Sequence, residues 1–68
     1  MKELETLKER ADKAAELKKR YMSLKEMFSR DTDNDDLFME IEQLGQDLED
    51  AIDAFEKARR EFYIKLVE

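Results

Sequence analysis

Carboxylates dominate the side chains in this sequence that could do chemistry. Asp31, Asp33 and Asp35 alternate within one short segment, and Glu42 follows seven residues later. Hard oxygen ligands at such spacing can surround a Ca²⁺ or Mg²⁺ ion. A second set, Glu40, Glu42, Asp47, Glu49, Asp50, Asp53 and Glu56, gives residues 40–56 seven acids and no Lys or Arg. The other ingredients of a catalytic site are missing. Without Cys there is no thiolate nucleophile and no sulfur-ligated metal, and without His there is no imidazole base or ligand. A single glycine cannot form a glycine-rich phosphate loop. The residues therefore point to a non-enzymatic protein that carries no cofactor.

The run Asp31-Thr32-Asp33-Asn34-Asp35-Asp36-Leu37-Phe38-Met39-Glu40-Ile41-Glu42 resembles an EF-hand calcium loop over its full length. Asp31, Asp33 and Asp35 match the first, third and fifth positions, Phe38 the apolar eighth, and Glu42 the final bidentate carboxylate. Asp36 stands where that loop needs glycine for its sharp turn, and Arg30 rather than an apolar residue precedes it. The expectation is an acidic turn and helix cap. Asp31, Asp33, Asp35 and Glu42 are at most weak candidates for a divalent cation, and no dedicated metal site is expected. The alternating aspartates also resemble a phosphatase nucleophile motif, but that chemistry needs a strand end in a parallel α/β sheet. Di-metal helical bundles need Glu-x-x-His pairs. All-α pyrophosphatases need acids facing inward, whereas the acids here fall between apolar positions.

The elements that carry these residues read as helices. There is no proline, and Leu, Glu, Lys, Ala and Gln lose little rotamer freedom in a helix. Only Ser29–Asp36 interrupts, since Asp and Asn compete for backbone hydrogen bonds and favour caps and turns. The pattern predicts one domain over residues 1–68: a first helix over about 2–30, an acidic turn over about 31–34 and a second helix over about 35–67. Thr32 or Asp33 is the expected N-cap. Apolar residues at Leu4, Leu7, Ala11, Ala14, Leu17, Tyr21, Leu24 and Phe28 step in a heptad-like stripe with one short step. Leu37, Ile41, Leu44, Leu48, Ala51, Phe55, Ala58 and Phe62 step by four and three without a fault.

Folding the chain at the acidic turn gives opposed residues numbers that sum to 65 or 66, from Leu4 with Phe62 to Phe28 with Leu37. Gly45 then falls opposite Tyr21. Charge agrees: residues 1–30 carry nine bases and six acids, while residues 31–68 carry four bases and thirteen acids, for a net −6. Lys25 is expected near Glu40, Lys18 near Asp47 and Arg10 near Glu56. The fold class is all-α, an antiparallel hairpin of two long amphipathic helices, assembling as a four-helix bundle or coiled coil.

One seam is thin for a chain of this size, and more apolar surface is present than one seam needs. Phe38, Gly45, Ile52 and Leu66 form a second line, broken by Arg59, while Ala15, Met22 and Met27 lie off the first helix's stripe. Phe62, Tyr63, Ile64, Leu66 and Val67 crowd one end and cannot all face one seam. They are expected to be wrapped by a second protomer together with Met1 and Leu4. Met22, Phe38, Ile52, Tyr63, Ile64, Leu66 and Val67 are the expected interface. The partners implied are a second copy of the chain, as a homodimer of hairpins, and another protein for which it acts as an adaptor.

Lys13, Lys18, Lys19, Arg20 and Lys25 suggest a basic face, but Glu9, Asp12, Glu16 and Glu26 dilute it, so neither nucleic acid nor membrane is an expected partner. The acidic second helix could instead mimic DNA phosphates for a basic partner. In size, acidity and hairpin architecture the chain is similar to the small co-chaperones of bacterial type III secretion needle subunits. The likeness is carried by Leu24-Lys25-Glu26-Met27, the acidic turn and Leu48-Glu49-Asp50-Ala51-Ile52. That resemblance implies a cytoplasmic adaptor using its second apolar face; inhibitors of host proteins encoded by phages fit the same description. No apolar run approaches the roughly 20 residues of a membrane span and no signal pattern follows Met1, so the cytoplasm is the expected compartment.

Overall fold

The computed structural model describes residues 2–68. Helix α1 runs from Lys2 to Arg30 and helix α2 from Asp35 to Val67, packed along each other as an antiparallel hairpin. The molecule measures 54 × 14 × 13 Å, with a radius of gyration of 15.6 Å. A compact chain of this length would have about 11 Å, so the hairpin is a rod. Met1, expected near the C-terminal apolar cluster, lies outside the described residues.

The turn between the helices is built from short-range hydrogen bonds. Asp31 N–H donates to Phe28 O at 3.0 Å and Asn34 N–H to Asp31 O at 3.2 Å. Asn34, and not Thr32 or Asp33, is the N-cap of α2: its Oδ1 accepts from Leu37 N–H at 3.0 Å, and its backbone is extended at φ −85°, ψ 94°. The reason is chemical. The Asn34 amide caps with its oxygen while its Nδ2 donates to Asp31 Oδ2 at 3.1 Å, and an aspartate has no donor for the second bond. Asp35 and Asp36 then occupy the first turn, where the helix dipole favours negative charge.

The seam is a heptad repeat in both helices. Writing a and d for its inward positions, α1 places Leu7, Ala14, Tyr21 and Phe28 at a, with Glu3, Arg10, Leu17 and Leu24 at d; each is half-buried. Helix α2 places Ile41, Leu48, Phe55 and Phe62 at a, with Leu37, Leu44, Ala51 and Ala58 at d. Opposed pairs all sum to 65. The short step seen in the α1 apolar stripe disappears, because Arg10 rather than Ala11 and Glu3 rather than Leu4 hold the seam positions. Leu4 is correspondingly 39% exposed. Arg10 is tolerated there because its Nη1 crosses the seam and donates to Ala54 O at 3.1 Å, while its stem packs on apolar neighbours.

Burial is uneven between the helices. Leu37, Ile41, Leu44, Ala51 and Ala58 of α2 are buried, but α1 contributes no buried residue. Even Leu37 and Leu44 keep 7% of their surface. A single layer of helix covers α2's inner stripe and leaves the rims of α1 open.

At Gly45 the α2 backbone comes close to the Tyr21 ring. A Cβ there would lie 3.2 Å from Tyr21 Cε2. Gly45→Ala alone should therefore barely change the melting temperature, since the gain of about 1 kcal/mol in helix propensity is offset by displacing the ring. In a Tyr21→Leu background the same substitution should show most of that gain. A circular-dichroism double-mutant cycle measures the coupling, and a full gain in both backgrounds would mean the ring yields freely.

Candidate functional site

The acidic turn does not gather its carboxylates. Asp35 and Glu42 both sit within α2, about 10 Å apart along its axis, so the second half of the EF-hand-like run is helix and cannot wrap an ion. Asp31 is engaged with Asn34, and among the described residues no three acidic side chains are placed to hold a metal. Glu40, Glu42, Asp47, Glu49, Asp50, Asp53 and Glu56 are all exposed. The basic residues Lys13, Lys18, Lys19, Arg20 and Lys25 are exposed too, but they are spread around three faces of α1. No helix is long and apolar enough to cross a membrane.

The expected pairing of Lys25 with Glu40, Lys18 with Asp47 and Arg10 with Glu56 is not formed. Among the described residues the ion pairs are Arg30–Glu26 at 3.2 Å and Lys65–Glu68 at 3.8 Å, both within a helix. The cause is sidedness. Lys18 and Lys25 follow d residues, at the heptad's e position, whereas Glu40 and Asp47 precede a residues, at g; these lie on opposite sides of the seam. Equal height along the hairpin is not enough to bring charges together. Lys25 instead holds its ammonium 5.5 Å from the Tyr21 ring centre.

The same sidedness sorts the exposed apolar residues. On the e side α2 presents Phe38, Gly45, Ile52 and Leu66, and the adjoining b positions add Tyr63; α1 adds Leu4, Ala11, Ala15 and Met22. Phe38 and Gly45 lean against Phe28 and Tyr21: the two phenyl rings lie 5.7 Å apart, tilted by 43°. The opposite, g side is more polar, with Met27 and Ile64 as its exposed large apolar residues, and it is grooved. One groove there is bordered by Lys13, Asp47, Asp50 and Lys57, another by Glu16, Arg20, Ser23 and Glu40. The two sides thus differ in chemistry, with more large apolar side chains on the e side.

All seven residues expected at an interface are exposed. Met22, Phe38, Ile52, Tyr63 and Leu66 fall together on the e/b flank, at 40–58% exposure. Ile64, at 50%, falls on the other flank and Val67, at 84%, on the outer face. Phe62 is half-buried in the seam with its ring 6.1 Å from that of Tyr63. Leu4 and Ala11 are the flank residues that the apolar stripe misplaces in the seam. The clue was present in the short step at Ala11–Ala14, which marks where the apolar stripe leaves the true heptad.

No protein-family model, curated protein or solved structure matches the chain.

Proposed function

We propose that this hairpin is a non-enzymatic protein-interaction module whose e/b flank is an assembly surface, acting as an adaptor in the cytoplasm and self-associating as a dimer of hairpins in a four-helix bundle. The observation that carries this is area. The hairpin exposes 5653 Å², whereas a compact monomer of 8.2 kDa exposes about 4500 Å². The surplus is comparable to what one partner contributes to a standard interface, about 800 Å². Met22, Phe38, Ile52, Tyr63 and Leu66 supply its apolar part on a single flank, and large apolar side chains left exposed together on one side of a small protein mark interaction sites. Half-burial of every α1 seam residue supports the same reading, since an added layer would complete their cover.

Folding and assembly should then be linked. Helicity and melting temperature are expected to rise with protein concentration, by several degrees over a hundredfold range, because association stabilises the folded form by mass action. Circular dichroism on a dilution series checks this. A melting temperature independent of concentration contradicts it.

The acidic outer face of α2 could serve a second use, engagement of a basic partner in the manner of DNA. The absence of any base among residues 40–56 favours it. Such binding should weaken steeply with salt and on neutralising Asp47, Asp50 and Asp53.

A further inference from the structure

We propose that the occupant of the e/b flank is a second copy of this chain, seated with α1 of one hairpin on α2 of the other and with both acidic turns at the same end of the bundle. This rests on the reading of the flank as an assembly surface and adds the arrangement. Two flat hairpins stacked on one flank can be related by a two-fold axis in only two ways. An axis along the helices puts α1 on the partner's α2, with the turns together. An axis across the helices puts α1 on α1 and α2 on α2, with the turns at opposite ends.

The charges on the flank distinguish these. Among the described residues, every charged residue that α1 brings to its e and b positions is a base: Lys8, Lys18 and Lys25. Helix α2 brings Asp35, Glu42, Glu49 and Glu56, one heptad apart, and a lone base, Arg59, toward the open end. All of these side chains are exposed, and among the described residues Lys8, Lys18, Lys25, Glu42, Glu49 and Glu56 form no ion pair inside the hairpin. In the same-end arrangement each helix keeps its height, so Lys25 meets the partner copy's Glu42, Lys18 its Glu49 and Lys8 its Glu56. In the opposite-end arrangement heights are reversed. Lys8 then meets Lys25 of the other copy, Glu42 meets Glu56, and Glu49 meets itself. Both arrangements cover Met22, Phe38 and Ile52 equally, so the charged residues of the flank decide, as charge complementarity fixes orientation more than it adds affinity.

The chain has no cysteine, so Thr32→Cys gives each copy a single nitroxide label at the exposed turn. The same sample is weighed by light scattering and its label separation read by pulsed dipolar spectroscopy. A mass of two chains with labels within about 30 Å, one helix-packing distance plus two label tethers, is the expected result. A mass of two chains with labels separated by nearly the 54 Å length of the rod overturns the arrangement and leaves the assembly reading standing. A mass of one chain at every concentration overturns both the arrangement and self-association through the flank. Lys18→Glu/Lys25→Glu gives a second readout: the dimer dissociation constant should rise at least tenfold, and an unchanged or tighter dimer contradicts the same-end pairing.

Discussion

Ile52→Asp is expected to convert an assembled species to a single chain, with helicity falling at the same time. Ile52 sits at the middle of the e/b flank and is 40% exposed in the hairpin. If the flank were simply wet, an aspartate there would cost a few tenths of a kcal/mol, as surface substitutions do. If the flank is covered, each dimer buries two unpaired carboxylates, at about 3 kcal/mol apiece. That amounts to about four orders of magnitude in dissociation constant. Met39→Asp is the matched control, since Met39 is 66% exposed on the outer face of α2; its mass should not change. Equal behaviour of the two variants would contradict the flank as an assembly surface.

Leu44→Ala should unfold most of the protein at room temperature. Leu44 is among the best buried large side chains, occupies a d position beside Gly45, and stands opposite Tyr21. Truncating a buried leucine costs 2–5 kcal/mol, depending on how far the site can collapse. A core one row deep has little else to lose, because small domains hold only a few kcal/mol in reserve. Loss of more than half the helical signal at 25 °C is the expected result. A melting temperature within a few degrees of the parent would show that the seam carries less of the stability than its burial implies.

The two helices and the break between them were legible because helix formers without proline are interrupted only where Asp and Asn cluster. The antiparallel pairing was legible in the nearly constant sum of opposed numbers, and Tyr21 does lie against Gly45. Two features were not. The apolar stripe of α1 assigns Leu4 and Ala11 to the seam, but a polar residue can hold a seam position when its head group finds a partner, as Arg10 does at Ala54 O. Likewise, the pairing rule gives height along the rod and is silent about side. It matches Lys18 and Lys25 with acids at the correct height and on the wrong flank. Helical phase, which needs the true heptad, is the missing information. With the phase fixed, five of the seven expected interface residues fall on one flank, while Ile64 and Val67 separate from them.

The most direct test is the solution mass of the unmodified chain, by light scattering after size exclusion, across a concentration series. A mass of two 8.2 kDa chains that falls toward one on dilution, with helicity falling in parallel, is the result expected of an assembly flank. A well-folded single chain of that mass at the highest concentration would contradict self-association through Met22, Phe38, Ile52, Tyr63 and Leu66.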